Sequence, residues 1–244
     1  MKFAPNKTAP ALCMGGVLFL LHLAENLLGF DHETGLAVPT VLRYALIGAT
    51  VLFVLLTILL CRSFPADRPL FSEHFAVPEK AKAALVLGSF LFMGGGALLG
   101  AVTVMTRGGV APLVTAALAV VSGLCLLVLT KRMRAGEADS VTPLLPVMFF
   151  SAFWVLSLYL PAGSDPILAR YWLPILAAAA AAYAFSLLAG FFRQETKART
   201  FNMVGRAAMM LCFAAAADLD FTSALLFLGC AVILGAFLSL QKAE

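Results

Sequence analysis

Residues 11–30 read ALCMGGVLFLLHLAENLLGF, a run long enough to cross a bilayer as a helix. His22, Glu25 and Asn26 interrupt this apolar run, and their i, i+3, i+4 spacing puts them on one face of a helix. A charged group at membrane depth costs about 2.5 to 3.5 kcal/mol. We therefore expect these three residues, the polar seam, to face other helices or a wet cavity.

The rest of the chain is built of similar runs. Of its 244 residues, 62% are hydrophobic and 12% are charged, whereas soluble domains carry about 25% charged residues. Short polar links separate the runs, which predicts an all-α fold: a polytopic transmembrane helical bundle forming a single integral membrane domain over residues 1–244. Eight spans are expected, at about residues 11–30, 40–61, 83–105, 113–130, 143–161, 171–192, 201–218 and 221–240.

The seventh span is the weakest of the eight. The uncharged stretch between Arg206 and Asp218 consists only of residues 207–217, and it is too short to cross a bilayer. The span must borrow residues 201–205, let Arg206 snorkel toward the interface, or form a shortened helix. Seven spans are the alternative if this segment does not cross.

The 17 Lys and Arg residues are divided unequally between the two sides of an eight-span bundle. Arg43, Arg107 and Arg170 fall on one side, and the other fourteen fall on the side of the N-terminus. The positive-inside rule then predicts that both termini are cytoplasmic. Five aromatic residues form a predicted belt at the outer ends of the spans: Tyr44, Trp154, Tyr159, Tyr171 and Trp172. We expect a multi-pass protein of a plasma membrane, specifically a bacterial inner membrane.

Two further segments carry packing signals. Gly96 and Gly100 form a GxxxG in the third span, which favours close helix packing over an unwound ligand-binding helix. In the link at residues 62–82, Phe64, Phe71 and Phe75 alternate with charges, as in a segment that lies on the membrane surface, with free coil as the alternative.

Several classes of site have no signature here. The five cysteines lie in apolar runs without a CxxC, so we interpret them as packing residues. The chain has no HExxH, GxSxG, Walker A or GxGxxG motif, and we expect neither an enzyme nor a cofactor. The net charge of +4 is the sum of a basic inner face and a mildly acidic outer one, so no nucleic-acid partner is expected.

Two groups of polar residues are candidate sites. His22, Glu25, Asn26 and Arg43 form a candidate substrate or ion path. The alternative is structural: Glu25 pairs with Arg43 at the outer ends of the first two spans, and Asn26 bonds to another helix. A candidate outer acidic face gathers Asp31, His32, Glu33, Asp218 and Asp220, with Asp165 beside them, but their spacing defines no metal site and none is expected.

Two functions follow from these sites. The first is a small-solute or cation transporter whose path passes the polar seam, and the second is a non-catalytic membrane subunit that packs against a partner. Besides the lipid bilayer, the expected contacts are therefore a membrane-protein partner or a second copy of the chain. A seam that faces a cavity inside the chain would favour the transporter. A seam that faces lipid would favour the subunit, because its polar groups would require a partner to cover them.

Overall fold

The protein is described by a computed structural model that covers residues 8–30, 41–64, 66–75, 79–137, 140–162, 171–218 and 220–241. These residues form nine α-helices and no β-strand, which confirms the all-α prediction for this part of the chain. The helices are α1 Ala9–Leu28, α2 Val41–Leu60, α3 Phe71–His74, α4 Glu79–Met105, α5 Val110–Ala135, α6 Leu145–Ala162, α7 Trp172–Gly190, α8 Ala198–Ala215 and α9 Phe221–Ser239.

Seven of these helices are long and apolar enough to cross a membrane. With their 3₁₀ extensions they are Ala9–Leu28, Val41–Ser63, Lys82–Met105, Val110–Ala135, Thr142–Leu160, Trp172–Arg193 and Phe221–Ser239. They coincide with seven of the eight predicted spans. The protein is therefore a multi-pass, membrane-embedded helical bundle, and α8 is the helix that falls short of this standard.

Helix α8 is the least apolar of the long helices and is also deeply buried. Twelve of its 18 residues are buried, and it packs against α1, α7 and α9. The helix includes residues 201–205, which was the first of the three alternatives for the seventh span. Arg206 is only 5% exposed and does not snorkel. Because protein surrounds α8, its polar side chains need not contact lipid.

Neighbouring helices run antiparallel, so that the ends of α2, α7 and α9 meet the start of α8. Arg199 Nε donates to the Phe64 carbonyl at 2.8 Å, and the Ala198 N–H donates to the Asp67 carbonyl at 3.0 Å. Gln241, just after α9, lies at the same end and forms an isolated antiparallel β-bridge with Phe75. We call this end of the bundle the basic end.

Helices α4 and α5 continue the same alternation. Gly88 and Gly95 of α4 approach Ile233 and Leu226 of α9, and Gly123 of α5 approaches Ser89 of α4, so each pair is antiparallel. Helix α5 therefore finishes at the basic end. This order places Arg43 and Arg107 at the opposite end. It places nine described cationic residues at the basic end: Arg62, Arg68, Lys82, Lys131, Arg132, Arg134, Arg193, Lys197 and Arg199.

The predicted GxxxG is a packing motif. A Cβ added at Gly96 would lie 2.8 Å from the Ala116 carbonyl oxygen and 2.8 Å from the Ala119 Cβ. At Gly100 the nearest atom, the Ala116 Cβ, would be 3.4 Å away, which is ordinary contact. Gly96 is therefore the position at which α4 and α5 approach most closely within the motif.

The aromatic side chains of the link after α2 pack against protein and are not presented to a membrane surface in the way the prediction assumed. Phe71 and Phe75 are buried, and the Phe71 ring stacks on Phe192 with centroids 4.2 Å apart. Phe75 packs edge-on against Phe191 and Phe201. These aromatic side chains close the basic end of α7, α8 and α9.

Trp154 is also an exception to the predicted aromatic belt. It is 2% exposed and packs between Phe150 of α6 and Phe227 of α9, with ring centroids at 5.3 and 4.4 Å. Tyr44 and Tyr159 are well exposed near the end opposite to the basic end, as a belt requires.

The α4–α5 contact predicts opposite effects at Gly94 and Gly96, two residues apart in α4. Gly96→Ala should destabilise the fold by about 1 to 3 kcal/mol, because the new methyl group meets backbone and has no room to move. Gly94→Ala should be neutral or stabilise by up to about 1 kcal/mol, because nothing lies within 4 Å of the new Cβ. Reversible unfolding in mixed detergent micelles measures both, and equal effects would contradict the packing described here.

Candidate functional site

The polar seam lies on the protein-facing side of α1. The buried residues of α1 are Ala11, Gly15, Leu18, His22, Glu25 and Asn26, which share one helical face. This face packs against α8, where Gly15 allows close approach to the backbone of Met210. Glu25 is 2% exposed. The seam therefore faces other helices, as predicted, and not lipid.

Glu25 and Arg43 form an ion pair, which confirms the predicted partnership. Arg43 Nε lies 2.9 Å from Glu25 Oε1, and Arg43 is 17% exposed. Each charge sits at the unfavourable end of its own helix, since Glu25 is in the last turn of α1 and Arg43 is in the first turn of α2. Pairing offsets both unfavourable helix-dipole interactions, and the Phe30 ring, 5.8 Å from the guanidinium carbon, adds a cation–π contact.

His22 connects the carboxylate to the amide of the seam. Its Nδ1 lies 3.7 Å from Glu25 Oε2, and Asn26 Nδ2 lies 3.4 Å from its Nε2. The amide nitrogen is a donor, so Nε2 acts as the acceptor and the ring proton is assigned to Nδ1.

Asn26 ties α1 to the end of α8. Its Nδ2 donates to the Ala217 carbonyl at 3.2 Å, just beyond the last residue of α8. Asn26 thus bonds away from its own helix, as predicted, but the acceptor lies in the turn after α8 and not within a helix. Both parts of the structural interpretation of the seam are present in the fold.

The candidate outer acidic face is described in part. Asp31, His32, Glu33 and Asp165 lie outside the described residues, and Asp218 lies in the turn after α8. Within the described ranges, no group of three or more His, Cys, Asp or Glu residues could hold a metal ion.

Asp220 is the N-cap of α9. Its carboxylate accepts the N–H groups of Thr222 and Ser223 at 3.2 Å and the Ser223 hydroxyl at 2.6 Å. Desolvation raises the pKa of Asp220, but the hydrogen bonds from Ser223 and Thr222 outweigh it and leave the pKa below its ordinary value. Its oxygen atoms thus cap the N-terminal backbone N–H groups of α9.

No known family model, curated protein or solved structure matches the chain. The function of this chain therefore has to be inferred from the contacts among its polar side chains.

A second buried polar group, which we call the Arg206 cluster, consists of Phe64, Asn202, Arg206 and Gln241. Asn202 Nδ2 donates to Gln241 Oε1 at 2.9 Å, and Arg206 Nη2 lies 3.4 Å from Asn202 Oδ1. The Arg206 guanidinium carbon is 4.9 Å from the centre of the Phe64 ring.

Sequence reasoning missed the Arg206 cluster. The i, i+4 spacing of Asn202 and Arg206 was a local signal for a shared polar face. Phe64 and Gln241 are distant in sequence, however, and reach the same site only through the packing of α2, α8 and α9. Helix α8 therefore has buried polar contacts at both ends, and about 16 Å of helix separates residues 206 and 217.

The seam brings a carboxylate together with two basic side chains. Two carboxylate oxygens of Glu25 face two different partners, the permanent cation of Arg43 and the titratable ring of His22. A proton or cation that associates with Glu25 competes directly with Arg43 for the same carboxylate.

The ion pair predicts a specific coupling between two substitutions. Arg43→Gln should cost about 3 kcal/mol of unfolding free energy, because the carboxylate loses its 2.9 Å partner inside the protein. Glu25→Gln should cost less, because the amide oxygen of the new side chain still accepts a hydrogen bond from Arg43. The double variant should be more stable than the sum of the two losses by about 1 to 3 kcal/mol in the same micellar unfolding assay.

A matched control for this cycle is Thr50→Val on α2. Thr50 is buried and donates to the Leu46 carbonyl of its own helix at 2.8 Å. Its effect should simply add to that of Glu25→Gln. Additive effects of Glu25→Gln and Arg43→Gln would exclude a stabilising ion pair.

Proposed function

We propose that this protein is a transporter for a small solute or cation, with a path that passes His22, Glu25, Asn26 and Arg43. The observation that carries the proposal is the burial of a charged seam between helices of a membrane-embedded bundle, where each ionisable group meets another one. Ionisable residues at such positions in membrane proteins mark ion and substrate paths. The proposed activity is movement across the bilayer and not an enzymatic reaction.

The proposed path follows α8. This helix carries polar contacts at both ends, through Asn26 at Ala217 and through Asn202 and Arg206 near the basic end. Apolar helices enclose it, which keeps these groups away from lipid. A path along the most polar enclosed helix gives a solute hydrogen-bonding partners on each side of the membrane.

The proposed working step is an exchange at Glu25. In the described state Arg43 occupies Glu25 and the seam is closed by protein. A cation or proton arriving at Glu25 and His22 takes over the carboxylate, which frees Arg43 to turn toward the exposed end of α2. Return of Arg43 expels the cation and restores the closed seam.

The proposed topology has eight crossings with both termini in the cytoplasm of a bacterial inner membrane. It places the basic end inside, as the positive-inside rule requires, because nine described cationic residues gather there. Helix α8 supplies the eighth crossing, since it runs alongside α1, α7 and α9. The alternative function is a non-catalytic subunit. A seam exposed to lipid would have required a partner to cover it, but this seam is buried within the chain.

Flux in proteoliposomes tests the proposal. Vesicles with a trapped pH-sensitive dye are exposed to gradients of Na⁺, K⁺, ethanolamine and protons, and the wild type is expected to move at least one of these faster than protein-free vesicles. Glu25→Gln and His22→Ala should each abolish that flux, because they remove the carboxylate and the ring that exchange partners.

The control variant for flux is again Thr50→Val, which changes a buried polar group of α2 outside the seam and should leave flux unchanged. All variants are compared only as folded, membrane-inserted protein. Flux that persists in both Glu25→Gln and His22→Ala would contradict the proposed path. A wild type that moves none of these ions would favour the partner-subunit function.

A further inference from the structure

Two buried nitrogen atoms beside Glu25 have no hydrogen-bond partner in the part of the chain that the structure describes. They are Nδ1 of His22 and Nη2 of Arg43. A buried donor that lacks an acceptor costs free energy, so each such group in a folded protein requires an explanation. Both side chains flank the same carboxylate, one at each of its oxygen atoms.

The guanidinium group of Arg43 contacts Glu25 through one N–H only. Its Nε donates to Oε1 at 2.9 Å, whereas Nη2, which would bond to the second oxygen in a bidentate pair, does not. The pair therefore leaves an N–H of a permanent cation available to another acceptor.

The imidazole of His22 is in a similar position. Asn26 Nδ2 lies 3.4 Å from Nε2, which assigns the ring proton to Nδ1. The distance of 3.7 Å from Nδ1 to Glu25 Oε2 is too long for a hydrogen bond. His22 is only 3% exposed, so bulk water does not satisfy this donor.

The charges of these side chains limit what can bind among them. Glu25 and Arg43 carry opposite charges and neutral His22 carries none, so their sum is zero. A lone cation at Glu25 displaces Arg43 without offering it a new partner, and a lone anion at Arg43 does the same to Glu25. Breaking a buried ion pair in this way is strongly unfavourable. A molecule that carries one charge of each sign provides a partner for both groups.

We propose that Glu25, Arg43 and His22 bind a small zwitterion as the transported solute. Its ammonium group pairs with Glu25, and its carboxylate accepts hydrogen bonds from Arg43 Nη2 and His22 Nδ1. The net charge of the site stays at zero when the solute is bound, as membrane depth favours. This inference rests on the proposed transport function and names the class of its substrate.

Equilibrium dialysis of the folded, full-length protein in mixed detergent micelles tests the binding step. The tritiated probes are glycine, β-alanine and 4-aminobutyrate, in which the two charges stand at increasing separations. At least one of them should bind. For β-alanine, the matched competitors are ethylamine, which lacks the carboxylate, and propionate, which lacks the ammonium group. Each competitor should bind at least about tenfold more weakly than the zwitterion it matches.

The variants assign each charge of the solute to its partner. Arg43→Gln should remove the preference for the zwitterion over ethylamine, and Glu25→Gln should remove the preference over propionate. A purely structural role would weaken both preferences together. Thr50→Val, outside the seam, should keep both. Should a variant fail to fold, the order of affinities in the wild type alone decides.

Two results separate this inference from the transport function on which it rests. Flux of a simple cation into proteoliposomes by a protein that binds none of the zwitterions would keep transport and overturn the inference. Selective binding of a zwitterion without its flux would support the binding site and contradict transport. Binding of ethylamine or propionate as tight as that of the zwitterion would also overturn the inference.

Discussion

Polar side chains inside a bilayer have to be satisfied by protein, and this requirement shapes the bundle around α8. Helix α8 carries Asn202 and Arg206, and its far end accepts a hydrogen bond from Asn26. Because lipid cannot satisfy these groups, α1, α7 and α9 enclose them. The more apolar α2 instead lies at the edge of the bundle, with large hydrophobic side chains such as Val51 and Leu55 exposed.

The two ends of α8 are closed in different ways, and the difference bears on function. At one end, a charged pair and an amide join α1, α2 and the turn after α8. At the basic end, aromatic rings from the link after α2 pack against α7 and α8, with the Arg206 guanidinium over Phe64. A cation that competes for Glu25 acts on the charged end alone, so the proposed exchange can open that end while the aromatic end stays closed.

Much of the bundle is encoded in local sequence. The i, i+3, i+4 spacing on α1 located the buried seam, and the adjacency of the first two spans identified Arg43 as the partner of Glu25. These features need only helix periodicity and the neighbouring helix of a hairpin. The close approach at Gly96 follows in the same way from a motif within one helix.

Features that depend on tertiary register could not be found in this way. Snorkelling by Arg206 was one of three alternatives for the seventh span, because nothing in that segment shows that Phe64 and Gln241 reach the cluster around Arg206. Trp154 matched an interfacial pattern, yet Phe150 and Phe227 enclose it.

The position of α8 across the membrane is tested most directly by side-specific labelling. In a background with the five native cysteines replaced by alanine, Glu195→Cys lies before α8, Phe221→Cys lies after it, and Glu137→Cys marks the basic end. A membrane-impermeant maleimide should label positions 195 and 137 from the same side of the membrane and position 221 from the other. Labelling of positions 195 and 221 from one side would contradict a membrane-crossing α8 enclosed by the apolar helices.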